Sequence, residues 1–329
     1  MDEGARFAQV PVKRGHYESF YLKAARPGGG QALWIRHTVH KRPGQAPTAS
    51  VWFTYFDRDE PGPRATKVTF GEAQLSTPPG EWIKVGGATL GPGRATGSLS
   101  TDALDSTWDL QFDAGGEPCH YLPAEWLYRA PLPKTKFVAP VPCTTFSGSL
   151  TINGERLPIG DWPGMIGHNW GSEHAERWIW LEGTGFEEEP VAYFDLGAAR
   201  IRVAGRTLPW IAAGALRLEG ETHRLGGPGR IRSTEVDARP GSCEFVFPGA
   251  TATVRGKIQA PPKDFVGWVY ADPDGPEHNT INCSAADLEM SVERPGKRNR
   301  HLYLPGAGAY ELGMRETDHG IPIQPYPDG

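Results

Sequence analysis

The amino-acid sequence predicts an all-β protein of antiparallel strands with only a few short helices. Short runs of alternating apolar and polar residues, rich in β-branched and aromatic side chains, recur along the 329-residue chain. The 42 glycines and 31 prolines fall between these runs rather than in tracts, as expected of turns between strands. No comparable stretch repeats its apolar residues with the 3.6-residue period of a long helix. With this many strands, the chain is expected to form sandwiches or closed barrels.

In the first half of the chain, four segments alternate clearly enough to be predicted as strands. They are ALWIRHTVH (32–40), SVWFTYFD (50–57), ATKVTFGE (65–72) and STWDLQFD (106–113). Each is bounded by Gly, Pro or Asp, residues that favour turns. A short helix is predicted near PAEWLYRA (123–130).

The second half repeats the pattern more densely. Its predicted strands are ERWIWLEG (176–183), PVAYFDLG (190–197), ARIRVAG (199–205), GALRLEG (214–220), CEFVFPG (243–249), ATVRGKIQA (252–260), DFVGWVYA (264–271) and NCSAADLEMSVER (282–294). Their spacing is typical of an antiparallel sheet whose neighbouring strands follow one another along the chain.

Recurring prolines in the segment 130–146 predict the boundary between two domains, 1–140 and 146–329. Both halves carry a Gly-His pair, then a Trp-containing strand, then Tyr-Phe-Asp at a strand end. This order is consistent with a duplicated β domain. Chance repetition of a three-residue string in an aromatic-rich chain is the alternative.

Composition excludes several classes of function. The net charge is −5 with both signs interspersed, which argues against a nucleic-acid partner. No window approaches the length of apolar chain that spans a bilayer, and the first residues lack the apolar core of a secretory signal. Cys119, Cys143, Cys243 and Cys283 form no CxxC pair, so we expect reduced, mostly buried thiols. The sequence favours a soluble cytoplasmic protein and leaves its oligomeric state open.

The segment from Gly167 to Asp195 is predicted to line a binding site, because it combines three of the eleven tryptophans with a histidine and a Tyr-x-Asp pair. Residues two apart on a strand share a face. Three pairs therefore each share a surface: His168 with Trp170, Trp178 with Trp180, and Tyr193 with Asp195. If these surfaces converge, a carboxyl group lies among aromatic rings.

The residues FSGSLTINGERLPIGDWPGMIGHNWGSEHAERWIWLEG, from Phe146 onward, and the following VAYFD resemble a known group of tandem lipocalin-like proteins. The group comprises hydroxyneurosporene synthase (carotenoid 1,2-hydratase), tocopherol cyclase-like proteins and AttH. The segment ESFYLKA…GGGQALWIRHTV (18–39) is similar to the group's first domain. The resemblance implies two lipocalin-like β-barrel domains side by side. Some fungal relatives are Diels–Alderases that bind substrate between or within the domains.

The same resemblance suggests roles for individual residues. In carotenoid hydratases a His-x-Trp pair and a downstream Tyr-x-Asp pair are held important, and these match His168 with Trp170 and Tyr193 with Asp195. The hydratases often have an acid before the histidine, where this chain has Gly167.

Hydration or cyclisation of a polyene begins when a neutral carboxylic acid protonates a carbon–carbon double bond. Burial among rings raises the pKa of a carboxyl by up to about 3 to 5 units, so Asp195 is the expected proton donor. His168 is expected to position water or to hold Asp195, and Tyr193 to orient either one. The expected substrate contacts are Trp170, Trp178, Trp180 and Asn169. Their rings would face the developing carbocation, each contributing roughly 0.5 to 2 kcal/mol when water is excluded.

A purely structural interpretation remains beside this one, because inward-facing aromatic residues are ordinary core and an Asp at a strand end often forms a turn. No metal site or cofactor is predicted, since His168 and His174 with Glu173 and Glu176 match no familiar ligand spacing. The expected partner is an apolar small molecule, and three alternative functions are consistent with it. They are acid-promoted hydration or cyclisation of a terpenoid or polyketide, a pericyclic reaction directed by the cavity, and binding of an apolar metabolite by a non-catalytic carrier.

Overall fold

The computed structural model of the chain describes residues 4–203 and 205–327, without the side chain of residue 203. Residue 204 of the predicted strand 199–205 lies outside the described residues. Nearly all regular structure is β, and one sheet forms a nearly closed barrel while the other forms a half-barrel. The fold class predicted from the sequence is therefore confirmed. The described helices are short 3₁₀ turns at Phe7–Gln9, Glu72–Gln74, Glu125–Tyr128, Pro228–Ser233 and Pro262–Asp264.

The first sheet contains the first twelve strands of the described chain. They are β1 (His16–Ala25), β2 (Gln31–Lys41), β3 (Thr48–Asp57), β4 (Arg64–Gly71), β5 (Leu75–Ser76), β6 (Ile83–Val85), β7 (Ala88–Gly91), β8 (Arg94–Ser100), β9 (Asp105–Phe112), β10 (Cys119–His120), β11 (Thr135–Ile152) and β12 (Glu155–Gly171). Their order in the sheet is β4-β3-β2-β1-β12-β11-β9-β8-β7-β6-β5, and β10 pairs with β11. The long strand β12 therefore joins the early meander to the later one.

The second sheet begins after Gly171. It contains β13 (Arg177–Phe186), β14 (Glu189–Arg200), β17 (Ile211–Leu218), β18 (Glu221–Gly226), β19 (Glu235–Arg239), β20 (Ser242–Pro248), β21 (Thr253–Gln259), β22 (Val266–Ala271), β23 (Glu277–Glu293) and β24 (Arg300–Met314). Their order is β18-β17-β14-β13-β24-β23-β21-β20-β19, and β22 pairs with β23. A separate two-stranded ribbon joins β15 (Arg202–Val203) to β16 (Arg206–Thr207).

Residues 135–146 of the segment predicted as the linker, 130–146, are part of β11 and belong to the first sheet. Proline cannot donate a hydrogen bond to a neighbouring strand, so we interpreted the prolines there as the end of regular structure. In fact the β11–β12 register shifts between Val138 and Val141 and again between Val141 and Thr144, and these irregularities accommodate Pro140 and Pro142. We therefore propose that the domains divide within residues 172–176 rather than at 140–146.

Strand alternation determines which side chains enter each core. On β2 and β3, Leu33 and Phe53 face the interior of the first sheet, whereas Trp34 and Trp52 face the second sheet and join its core. The two sheets thus pack through the outer face of β1, β2 and β3. The four cysteines are free, and all except the half-buried Cys143 are buried, as the sequence predicted. In the part of the chain that is described, no helix has the length and apolarity to cross a bilayer.

Candidate functional site

The candidate site lies in the interface where the second sheet faces the first. On β13, Ile179 and Leu181 enter the core of the second sheet. Trp180, which lies between them, faces the other way, since it packs edge-on against Tyr21 of β1, with ring centroids 5.2 Å apart. Trp178 and Trp180 therefore share the face toward the first sheet, as residues two apart on a strand must. This geometry agrees with the sequence prediction for the tryptophan pair.

Strand β14 delivers the Tyr-x-Asp pair to the same interface. Phe194 and Leu196 enter the core of the second sheet. Tyr193, on the opposite face, joins a buried cluster between the sheets that also contains Met165 of the first sheet. Asp195 lies opposite Glu182 in the β13–β14 register and shares the face of Tyr193.

Asp195 is held by two donors inside this cluster. Asp195 is only 2% exposed to solvent. The hydroxyl of Tyr121 donates to Oδ2, and Nε1 of Trp180 donates to Oδ1 at 2.9 Å. Burial raises the pKa of Asp195 to about 7, although these two hydrogen bonds partly oppose the increase. The carboxyl can therefore carry a proton near neutral pH.

Aromatic and small apolar groups surround this carboxyl. Tyr121 stacks on Phe137 with ring centroids 4.8 Å apart. The residue before the motif histidine, Gly167, must be small, because a Cβ at this position would overlap the ring of Tyr21. Tyr121 could not be predicted from the sequence, because it lies beside the two-residue strand β10, where no alternation marks it.

A buried ion pair lies next to Asp195. Nζ of Lys23 is 2.7 Å from Oε2 of Glu182, and both side chains are fully buried. The same ammonium group donates to the carbonyl oxygen of Ala307 on β24. The charge of Glu182 raises the pKa of Asp195 and that of Lys23 lowers it, so the pair has opposing effects on the proposed acid.

A second polar cluster occupies the interface beyond Trp178. Nδ1 and the backbone nitrogen of His174 both lie 2.7 Å from Oδ1 of Asp272. His278 approaches the other carboxylate oxygen at 3.3 Å. Tyr17 of the first sheet stacks on His174 with ring centroids 4.0 Å apart, and Trp178 stacks on it at 5.3 Å. Burial lowers the pKa of His174, although Asp272 opposes the decrease.

These three residues are also the group that could hold a metal ion. One donor atom from each of His174, Asp272 and His278 lies within 4.8 Å of the others. Two imidazoles and a carboxylate form a donor set that suits zinc or another divalent transition metal. In the sequence, His174 could be grouped only with nearby residues, because spacing gives no signal for partners 98 and 104 residues away. Asp272 and His174 come together only when the chain is folded.

His168 and Trp170 lie on the other face of β12, away from Asp195. The ring of His168 stacks on Phe20 at 3.8 Å, and Phe20 belongs to the core of the first sheet. Trp170 packs in a small cluster with Val138 on that same face. The expectation that these side chains project into one chamber with Asp195 is corrected by the period of two, because Gly167 faces the interface and its neighbour His168 cannot.

Asn169 takes the interface side instead. It pairs in register with Ser19 of β1, whose hydroxyl donates to Oδ1 of Asn169 at 2.6 Å. Of the first-sheet residues predicted for the site, Asn169 is therefore the one on the face toward Asp195.

His168 is part of a buried carboxylate network. Its Nε2 lies 2.8 Å from Oε1 of Glu18, which also accepts hydrogen bonds from the backbone nitrogens of Arg6 and Phe7. Burial alone would raise the pKa of Glu18, but hydrogen bonds from His16 and His168 outweigh it and lower the pKa to about 2. The network ties the N-terminal segment to the first sheet.

We predict that His168→Gln weakens folding but not chemistry. Loss of a buried hydrogen bond to a charged group should lower the free energy of unfolding by about 1.5 to 3 kcal/mol. Turnover per folded molecule should stay nearly unchanged. Urea unfolding and a rate normalised to folded protein measure the two effects, and Glu18→Gln is the matched control for the same bond. A loss of turnover of about a hundredfold without loss of stability would return His168 to the catalytic group.

Comparisons with known proteins agree with this architecture. No family model matches the chain. Two curated Mycobacterium tuberculosis proteins, from strains CDC 1551 and H37Rv, are 27% identical to it over 340 residues, which cover 96% of this chain and 93% of theirs. Both are named as uncharacterized.

Three solved structures are similar over most of their length. A protein described as AttH from Nitrosomonas europaea has a TM-score of 0.54 and 14% identity, covering 95% of this chain and 98% of its own. Kievitone hydratase from Nectria haematococca has a TM-score of 0.55 and 12% identity, covering 91% and 88%. CghA has a TM-score of 0.54 and 12% identity, covering 92% and 89%.

The chain shares their fold. The expected tandem lipocalin-like fold is thereby confirmed, whereas the resemblances to AttH, to carotenoid hydratase and to tocopherol cyclase-like proteins remain predictions. Fold similarity alone does not transfer chemistry, because one fold supports many sites.

Proposed function

We propose that this chain is an enzyme that needs no redox cofactor and that protonates a carbon–carbon double bond of a large apolar substrate. The product is either hydrated or cyclised. The observation that carries the proposal is Asp195: a carboxyl buried between the sheets, with a pKa raised to about 7 and no ion pair to any described residue. A carboxylic acid that keeps its proton near neutral pH is what this chemistry requires.

In the proposed first step the O–H bond of Asp195 breaks as a C–H bond forms, which leaves a carbocation on the substrate and a carboxylate on the enzyme. Trp180 and Tyr21 present aromatic rings beside the acid. Each ring stabilises a desolvated cation by roughly 0.5 to 2 kcal/mol. Tyr193 borders the same cluster and is proposed to orient the substrate.

The cation is then consumed in one of two ways. In hydration a water oxygen bonds to the cationic carbon and loses a proton to a base. In cyclisation a second double bond attacks and a neighbouring carbon loses the proton. In both cases the enzyme donates one proton and receives one proton, so the reaction needs no oxidant or reductant.

His174 is our candidate for the base, in place of His168. Asp272 holds its Nδ1, an arrangement that leaves Nε2 as the acceptor in the neutral tautomer. Its stacking partner Trp178 lies two residues from Trp180 on the same face of β13, so the acid and the base adjoin one tryptophan pair.

The comparisons support the reaction class only in general terms. Kievitone hydratase is named as a hydratase, and it shares the fold of this chain. The two alternatives from the sequence, a pericyclic reaction and carriage without chemistry, use the same interface but make no use of an acid at Asp195.

Isotope labelling tests the proposal. Apolar metabolites extracted from the purified protein with organic solvent supply the substrate candidates, which are returned to fresh protein in D₂O and in H₂¹⁸O. Hydration should place deuterium on one carbon and ¹⁸O on its neighbour, and cyclisation should place deuterium in an isomer of unchanged formula. A product that gains neither isotope indicates a pericyclic reaction, and recovery of the unchanged metabolite indicates a carrier.

A further inference from the structure

Arg36 lies near the middle of the interface between the two sheets. It is on β2, in register with Tyr21 of β1 and Trp52 of β3. Arg36 is 6% exposed to solvent. The guanidinium carbon lies 4.2 Å from the ring centroid of Tyr270, 5.4 Å from that of Trp52 and 5.9 Å from that of Trp34. Three rings from both sheets therefore surround one buried cation.

This cation differs from the other buried cations that the structure describes. Five of them reach a backbone carbonyl oxygen or a carboxylate: Lys23, Lys41, Lys67, Lys136 and Arg294. Within residues 4–203 and 205–327, the side chain of Arg36 makes no hydrogen bond and has no carboxylate oxygen within 4.0 Å of its nitrogens, and its Nε is fully enclosed without a partner. The contacts that the structure describes for its guanidinium are with the faces of aromatic rings.

The nearby carboxylates are engaged elsewhere. Glu311 accepts hydrogen bonds from Trp178 and Tyr270, both at 2.9 Å. Asp272 is held by His174 and His278. The interface therefore contains acids that have their own donors and one arginine that has no acceptor.

An unpaired buried guanidinium is costly. Removing a charge from water costs several kcal/mol even after relaxation, and arginine does not avoid the cost by releasing its proton. Contacts with ring faces offset only part of it, at roughly 0.5 to 2 kcal/mol each. A bound anion would supply the missing partner. The planar fork of arginine matches the two oxygens of a carboxylate.

We propose that Arg36 binds a carboxylate group of the substrate. The rings of Trp34, Trp52 and Tyr270 then form the apolar walls around that group. This arrangement rests on the proposed function. The carboxylate would anchor one end of the substrate on one side of Tyr21, while the double bond meets Asp195 on the other side. The charges of both Arg36 and Asp195 act on the hydroxyl of Tyr21, which supports this arrangement.

The test uses the fluorescent polyene cis-parinaric acid and its methyl ester, titrated against the full chain. The wild type should bind the acid about 10- to 100-fold more tightly than the ester, as expected for hydrogen bonds between charged groups. Arg36→Met should lose this preference, and Arg36→Lys should retain part of it. A preference for the acid that survives in Arg36→Met overturns the proposal, as does equal binding of acid and ester to the wild type.

Thermal unfolding provides a second readout that does not depend on the polyene. Arg36→Met should unfold at the same temperature as the wild type or higher, because it removes an unpaired charge. Added sodium benzoate should raise the unfolding temperature of the wild type and not of this variant. If neither probe distinguishes the two proteins, Arg36 is not an anion site. Both measurements read binding without turnover, so they stand even if the catalytic role of Asp195 fails.

Discussion

Asp195→Asn should lower turnover by about 10²- to 10⁴-fold, because the amide keeps the shape of the side chain but has no acidic proton to transfer. The change in rate should appear in kcat rather than in KM, since the substrate still meets the same rings. Turnover of the co-purified metabolite by matched preparations of the two proteins measures it. A loss of less than about tenfold would favour the pericyclic alternative, which relies on pre-organisation.

The pH dependence gives the same prediction a sign. The protonated carboxyl is the active form, so the wild-type rate should fall as pH rises through the pKa of Asp195, about 7. Tyr121→Phe is the matched control, because it keeps the acid and removes a hydrogen bond that lowers the pKa. Its rate profile should shift to higher pH. A flat wild-type rate between about pH 5 and pH 8 would contradict the role of Asp195.

Stability offers a readout that needs no substrate. The pKa of Asp195 is raised in the folded state to about 7, whereas an unfolded Asp titrates near 3.9. Between these values the unfolded chain has released its proton and the folded chain retains it. The free energy of unfolding should therefore decrease as pH rises from about 4 to 7, and less so in Asp195→Asn. Urea unfolding of both proteins across this range measures the difference.

Lys23→Met should destabilise the protein by about 3 to 5 kcal/mol, because it leaves the fully buried carboxylate of Glu182 without its counter-ion. Among the described residues Lys23 is the one cation paired with Glu182, at Oε2, and Oε1 has no hydrogen-bond partner. The methionine also loses the donor to the carbonyl of Ala307. Urea unfolding at pH 7 measures the loss.

The double variant Lys23→Met with Glu182→Leu is the control for the ion pair. Removing both charges restores an apolar contact of similar volume, so most of the lost stability should return. A single-variant loss below about 1 kcal/mol would mean that water reaches the pair. The contrast with Arg36→Met is informative, since one buried cation has a partner and the other has none.

The strand pattern could be predicted from the sequence, and so could the pairing of side chains on two strands of the candidate site. Each of the twelve predicted strands overlaps an observed strand, and the predicted helix 123–130 contains the short turn Glu125–Tyr128. The period of two was enough to place Trp178 with Trp180 and Tyr193 with Asp195, because β13 and β14 each have one face in the apolar core of the second sheet.

Strands β1 and β12 were harder, because their central residues are buried on both faces. Without a solvent side, alternation does not indicate which residues face the other sheet. His168 was therefore predicted to lie with Asp195, although it points into the core of the first sheet beside Phe20.

The sequence by itself determined an all-β chain and an aspartate among aromatic residues, since both depend on patterns between near neighbours. Only the tertiary structure decided what surrounds that aspartate. Tyr121 and Lys23 lie 74 and 172 residues from Asp195 along the chain, and Asp272 meets His174 across 98 residues. Local periodicity carries no information about such pairings, because they are set by how two sheets pack face to face.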